Sequence, residues 1–283
     1  MDLQMTVSLF ALLAVAVLYA AFDLFNKRNV PDVFAYLSVI VGVIITFAFN
    51  QADLLYSLAI ALTVGVIGYV IYRMGLWGAG DYFELVAISL IFPIQPLPIL
   101  ANVAQLDLPF ILSVFIATGV AAIWIVPIFY LVLVKKSWRK MPDEKHVIYG
   151  VSLFLLYMIL LFFVYYFYGS TLGRVALIMV VAVPSAITLV FEEEITSRMV
   201  ENIYPRQLDE GDIIAFNMMS ISEIKRFSKY KGFGRLATKK LIARMRNSRE
   251  KLPVYRNAAP LAVFILIGII ISLLFGNVVL FLV

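Results

Sequence analysis

Long apolar runs separated by short polar connections dominate the hydrophobic pattern of the chain. Eight such segments are delimited, at about 5–24, 33–49, 54–72, 82–101, 109–134, 147–168, 172–191 and 259–282. An uninterrupted apolar run of about 18 or more residues is typical of a transmembrane helix. The pattern therefore predicts an all-α, polytopic transmembrane helix bundle of about eight spans, with six as the minimum.

Two of the eight segments carry irregular features. The fourth contains Pro93, Pro96 and Pro98, which predict that its helix ends early and that the chain then re-enters the membrane. The first run lacks a basic segment before it and a small-residue cleavage site, so it is interpreted as a retained helix rather than a signal peptide.

One long stretch, residues 192–257, is polar and predicts a small cytoplasmic helical subdomain. It divides the chain into a transmembrane bundle over 1–191, this subdomain, and a C-terminal transmembrane helix over 258–283. Ser222 is placed as the cap of a first helix that runs to Lys231.

A second helix of the polar stretch is predicted at roughly 235–249, with apolar residues interleaved among basic ones. Two interpretations stay open: a cytoplasmic helix packed on its neighbours, or a helix lying on the membrane surface. The apolar positions that define its face are Leu236, Leu241, Ile242 and Met245.

Composition narrows the chemistry that the chain can perform. Hydrophobic residues make up 63% and charged residues 14%, against about half and a quarter in soluble domains. Cysteine is absent, which excludes thiolate nucleophiles and thiolate metal sites. The one histidine, His146, falls in the charged stretch 135–146 and is interpreted as a solvated loop residue. Neither a metal nor a cofactor is expected.

The basic residues predict an orientation. With the N-terminus outside, all but one of the 23 lysines and arginines fall on the inner side, and the exception is Arg174. Such one-sidedness favours eight spans with both termini outside the cell membrane. The net charge of +5 then faces the anionic inner leaflet of the lipid bilayer, and nucleic acid is not expected as a partner.

Two aspartates fall at the predicted cytoplasmic boundary. Asp23 ends the first apolar segment, and Asp81 opens the fourth within Gly78-Ala79-Gly80-Asp81. Two close carboxylates hydrolyse a peptide without metal, because one keeps a proton for the scissile carbonyl while the other deprotonates water. Acids at a membrane boundary are costly and tend to be functional.

Structural roles compete with this chemistry. Asp81 followed by Glu84 resembles a helix cap with an acid three residues on, and Asp23 with Lys27 has the spacing of a helical ion pair. The glycines admit unusual backbone conformations and close approach of a second chain, which suits an extended substrate at Asp81.

The residues around both aspartates resemble the GxGD aspartyl proteases, and within them the type IV prepilin peptidase family. The matching residues are Asp23, the following 27–31 (Lys-Arg-Asn-Val-Pro) and the 78–81 motif, with a proline-bearing approach to the last helix at 252–260. The likeness is closest to archaeal preflagellin and prepilin peptidases. Between about 109 and 191 the chain departs from the six spans usual in that family.

The resemblance implies an aspartic endopeptidase that removes short charged leaders from pilin-like or archaellin precursors on the cytoplasmic side. Asp23 and Asp81 would be catalytic, with Gly78 and Gly80 supporting them. Because such leaders are usually basic, acidic docking residues are expected. The candidates are Glu192, Glu193 and Glu194, with Asp209, Glu210 and Asp212 further along.

Three alternatives stay open. A presenilin-like or signal-peptide-peptidase-like protease would pair the second motif with a Tyr-Asp on the preceding helix, but Tyr69 and Tyr72 have no aspartate beside them. A transporter would use Asp23 and Asp81 to bind a cation or proton, although no internal repeat is evident. A non-catalytic membrane scaffold would use residues 192–257 as its interaction module.

Overall fold

The structure is a computed structural model that describes residues 3–26, 30–49, 51–100, 108–133, 142–169 and 172–277. Every predicted apolar segment contains a helix, which confirms the all-α bundle. The eight helices are α1 (Leu3–Phe25), α2 (Asp32–Phe49), α3 (Leu54–Arg73), α4 (Ala79–Ile91), α5 (Phe110–Ile128), α6 (Glu144–Tyr168), α7 (Leu172–Val190) and, after three short helices, α11 (Leu261–Phe275).

Six of these helices are long and apolar enough to cross a membrane within the described part of the chain. They are α1, α2, α3, α5 with the π-helical turn Phe129–Leu133, α6 and α7. Most of their apolar side chains are exposed on the surface of the bundle, and only 6% of the apolar stretch of α6 is buried. Soluble proteins rarely expose apolar patches of that size to water. The chain is therefore a multi-pass membrane protein.

Helix α4 is short because prolines follow it, as the sequence predicted. It ends at Ile91, and at about 1.5 Å per residue its 13 residues span less than a bilayer core. The chain beyond it is not helical. Ile99 and Leu100 donate their backbone N–H groups to the carbonyls of Leu273 and Leu274 at the end of α11, at 3.1 and 2.8 Å. The predicted early end of this helix is therefore confirmed; residues 101–107 lie outside the described part.

Helix α4 packs against α2 and α3 through glycines on those helices, and it also contacts α1. A Cβ on Gly42 of α2 would lie 2.9 Å from the Cβ of Leu90, and one on Gly68 of α3 would collide with Tyr82. Small residues at helix contacts bring backbones close in membranes. The result is a short helix enclosed by longer ones, with its N-terminus near the end of α1.

The polar stretch has a hydrophobic core of its own. A two-stranded antiparallel ribbon, β1 (Glu201–Ile203) with β2 (Leu252–Val254), packs with two short helices, α9 (Ile221–Phe227) and α10 (Lys239–Met245). A third short helix, α8 (Glu192–Met199), joins it to α7. The predicted helices are therefore accompanied by a ribbon that the sequence analysis missed.

Both predicted helices of this stretch are shorter than expected. Ser220, not Ser222, caps α9: its side chain accepts from the N–H of Glu223, whose carboxylate accepts the N–H of Ser220 in return. In α10 the side chains of Leu241 and Met245 are fully buried in the core of the polar stretch. This favours the packed-helix interpretation, because the apolar face is not available to a membrane.

Contacts tie the polar stretch to one end of the bundle. Arg198 of α8 donates to the carbonyl of Tyr130, and the Tyr130 hydroxyl donates to the carbonyl of Asn257. Gly75 has a positive φ of 68° in the turn after α3, and a Cβ there would lie 3.1 Å from the Cβ of Arg235. The polar stretch thus covers the end at which α3 ends and α4 begins.

Candidate active site

Asp81 lies in the first turn of α4 and is held by the backbone of that turn. Its Oδ2 accepts the N–H of Gly78 at 2.7 Å. Gly78 is the residue that precedes the helix, so Asp81 is its third residue and not its cap. The expected pairing of Asp81 as cap with Glu84 three residues later is wrong. A capping bond of this kind does form three residues earlier, between Gly78 as cap and the Asp81 carboxylate.

Asp23 lies two residues before the end of α1 and reaches across to the last helix. Its Oδ2 accepts the N–H of Ala262, the second residue of α11, at 3.1 Å. An anion is stabilised at a helix N-terminus by the unpaired N–H groups and the helix dipole. The ion pair expected between Asp23 and Lys27 falls on a residue outside the described part of the chain.

The two aspartates are brought to the same end of the bundle. Helices α1 and α4 are in contact, and the two carboxylates are near enough for their charges to interact. Both side chains are partly buried. Each carboxylate is oriented by a backbone N–H at the start of a helix, so the pair is held by α1, α4 and α11 together.

The motif glycines act by close packing rather than by unusual backbone geometry. Gly78 has φ −75° and ψ 159°, an ordinary extended conformation, and Gly80 is not among the glycines with positive φ. The expectation of conformations closed to other residues is therefore wrong. A Cβ on Gly80 would lie 2.8 Å from Cγ2 of Val30, so the close neighbour is the connection between α1 and α2.

We expect Gly80→Ala to destabilise the protein by about 1–3 kcal/mol, because the stiff Val30 side chain must move for the new methyl group. Apparent Tm in detergent measures the loss. In a Val30→Ala background the same change should cost clearly less, since the obstructing methyl groups are gone. Equal losses in both backgrounds would contradict the packing argument.

Two buried groups beside the aspartates were missed as site residues. Glu84 is fully buried, and the charges of Asp81 and Asp23 act on its carboxyl. Tyr19 of α1 is also fully buried, and its hydroxyl bonds to the Ser38 hydroxyl of α2 at 2.9 Å. A glutamate one turn after Asp81 was visible in the sequence, but it was interpreted only as a capping partner.

The three expected docking glutamates differ in their surroundings. Glu194 is buried and its carboxylate accepts from Arg198 at 2.7 Å. Glu192 and Glu193 are exposed and lie 3.9 and 4.0 Å from the ring nitrogens of His146. Of the three expected docking residues, Glu192 and Glu193 present their carboxylates to solvent and Glu194 does not.

The further acids of the polar stretch are paired with nearby cations. Asp209 and Asp212 lie 3.5 and 3.6 Å from Arg256, and Glu210 lies 3.1 Å from Lys239. Burial raises the pKa of the Asp212 carboxyl, although the backbone N–H of Asp209 and the Arg256 guanidinium oppose it. These acids therefore balance the basic surface of the polar stretch.

His146 belongs to α6 and is half-buried, so its interpretation as a solvated loop residue is wrong. Charged residues at the start of a membrane helix give no apolar signal, which explains the error. With Asp143 and Glu193 it forms a group whose ligand atoms all lie within 4.8 Å of one another. Both acids of this group are exposed, and it belongs to α6 and α8 rather than to the helices that hold the aspartates.

Comparison with known proteins bears on the region that holds both aspartates. Residues 10–126 match the model of the type IV leader peptidase family. No curated protein and no solved structure matches the chain. The matched region runs from α1 into α5 and includes Asp23, Asp81 and the helix contacts that join them, so this part of the chain is similar to the type IV leader peptidase family.

Proposed function

We propose that the chain is a membrane-embedded aspartic endopeptidase that removes the short charged leader of type IV pilin-like or archaellin precursors. The observation that carries the proposal is that Asp23 and Asp81 lie at one end of the bundle, near enough for their charges to interact, and that each accepts a backbone N–H at a helix start. The family match over residues 10–126 supports the peptidase activity and the pilin-type class of substrate.

The aspartate pair performs acid–base catalysis on water. Since two adjacent carboxylates do not both ionise cheaply, the pair holds one proton. The ionised member takes a proton from water as the water oxygen bonds to the scissile carbonyl carbon, and the protonated member donates to the carbonyl oxygen. Collapse of this intermediate breaks the C–N bond: the leaving amine takes a proton from the pair, and a hydroxyl of the intermediate returns one, so the pair again holds a single proton. The N–H groups of Gly78 and Ala262 keep the carboxylates oriented throughout.

The cleavage site is proposed to face the cytoplasm. The aspartates lie at the bundle end that the polar stretch covers, and that stretch carries most of the basic residues. Basic segments are retained on the cytoplasmic side of membranes. A precursor whose leader is cytoplasmic and whose apolar helix is in the bilayer would present its junction at the level of Asp23 and Asp81.

The test is cleavage of a purified pilin-like precursor by the purified protein in liposomes, with the product identified by mass spectrometry. A new N-terminus at the start of the apolar helix is expected, and it should be absent with Asp23→Asn and Asp81→Asn. Cleavage by both variants would overturn the proposal. Aspartate-dependent proton uptake without any cleavage would instead assign the site to transport.

We also propose that Glu192 and Glu193 contribute to docking of a basic leader. Replacing both with glutamine should raise KM about two- to thirtyfold at unchanged kcat, because exposed ion pairs contribute about 0.2–1 kcal/mol each. Added salt should reduce the difference in KM between the double variant and wild type, because it screens the exposed charges. Glu201→Gln, an exposed acid of β1, is the matched control. An unchanged KM in the double variant would remove these glutamates from the docking site.

A further inference from the structure

Glu84 is a buried carboxyl that the proposed chemistry leaves unused. Its side chain has no exposed surface, and neither of its oxygens has a hydrogen-bond partner among the described residues. Placing an unpaired polar group in a protein interior costs free energy that a leucine of similar size would not. A purely structural role therefore does not account for a glutamate at this position.

The surroundings of Glu84 favour the protonated form of its carboxyl. An ionised carboxylate removed from water needs a counter-ion or several donors, and otherwise it is neutralised. Neither Glu84 nor Asp81 belongs to an ion pair within the described ranges. Neutral Glu84 is a hydroxyl donor without an acceptor.

The groups whose charges reach Glu84 are those of the candidate active site. Asp81 precedes it by three residues, so both side chains lie on the same face of α4. From α1, Asp23 and the Tyr19 hydroxyl interact with it electrostatically. Gly78 occupies Oδ2 of Asp81, which leaves Oδ1 to accept from a second donor.

We infer that Glu84 is a positioning residue that acts through Asp81: a neutral third carboxyl on the same face of α4, whose O–H has no acceptor in this structure and turns to the Asp81 carboxylate during the reaction, where it stabilises the single negative charge of the aspartate pair. The inference rests on the proposed function. No bond to substrate is formed and no proton leaves Glu84, so hydrolysis balances as before. The donor strengthens the state in which the pair is singly ionised, which is the state that activates water.

Three substitutions separate this role from packing. Glu84→Gln keeps a neutral donor of the same shape and should retain wild-type cleavage within about threefold. Glu84→Leu removes the donor. It should lower kcat at least tenfold and move the acid limb of the pH profile about one unit to higher pH, with Tm unchanged or raised. Glu84→Asp, a shorter donor, should fall between them. Ser89→Ala removes a buried hydroxyl elsewhere on α4 and should leave the profile unchanged.

Each outcome decides the matter. A leucine variant with wild-type kcat and pH profile would overturn the inference, and so would a glutamine variant as impaired as leucine. Infrared spectroscopy provides a readout that needs no substrate. Wild type at neutral pH should show a protonated-carboxyl band that Glu84→Gln lacks, and Glu84→Leu should shift the titration of Asp81. If wild type cleaves nothing, the proposed function fails, while the infrared result still decides the state of Glu84.

Discussion

Asp23→Asn and Asp81→Asn are each expected to lower the cleavage rate on the order of 10³-fold or more, and the double variant should be no slower than either single one. An amide neither accepts the proton from water nor donates a carboxyl proton to the scissile carbonyl, so either change removes the acid–base function of the whole pair. The measurement is single-turnover cleavage of a pilin-like precursor by the three variants. Losses that multiply in the double variant would show that the aspartates act independently.

Two other aspartates provide matched controls for this result. Asp32 is exposed in the first turn of α2, at the same end of the bundle as the pair, and Asp53 lies before α3, at the opposite end. Exchanging either for asparagine removes one negative charge without touching the pair. Both should cleave at close to the wild-type rate, and apparent Tm should show that all variants keep their fold.

The bundle was predictable because the length of an apolar run is a strong signal in a membrane protein. All eight runs contain helices, and most boundaries agree within three residues. The proline cluster after Ile91 also gave the early end of α4, since proline removes a donor and cannot continue a helix. For these features, local sequence and bilayer thickness are enough.

The partners of the two aspartates were not predictable from local sequence. The N–H that Asp23 accepts belongs to Ala262, which is 239 positions later in the chain. No periodicity connects such positions. The 78–81 motif marked Asp81 as a candidate, but its contact with Gly78 required the helix to begin one residue after that glycine. Caps depend on this register, which sequence patterns fix only to within a few residues.

Some features of the sequence do indicate the observed structure, against the predictions drawn from them above. Ser220 and Glu223 have the spacing of a capping box, whereas Ser222 has Lys225 three residues on, so the correct cap of α9 was visible. Glu192, Glu193 and Glu194 were treated as one acidic group. Their positions on α8 separate them, because Glu194 faces inward to Arg198, whereas Glu192 and Glu193 face solvent. Grouping by sequence adjacency ignores the helical period.

Gly268→Ala is expected to lower stability by about 1–3 kcal/mol, because α11 and α5 meet through their backbones at this glycine. An added Cβ would lie 2.8 Å from the carbonyl oxygen of Val114 and 2.8 Å from the backbone nitrogen of Thr118, and neither atom can move alone. The helices must therefore separate. Since Ala262 lies about 9 Å along α11, separation also shifts the N–H that Asp23 accepts, and cleavage should fall with stability.

Gly119 of α5 is the control for this change, because a Cβ there meets no atom within 4 Å. Gly119→Ala should leave cleavage unchanged and raise stability by about 0.5–1 kcal/mol, the usual gain when alanine replaces glycine inside a helix. Apparent Tm and the cleavage rate are measured for both variants in the same detergent. Equal Tm values and equal cleavage rates for Gly268→Ala and Gly119→Ala would contradict this argument. The close contact of α5 with α11 would then not hold the start of α11 beside Asp23.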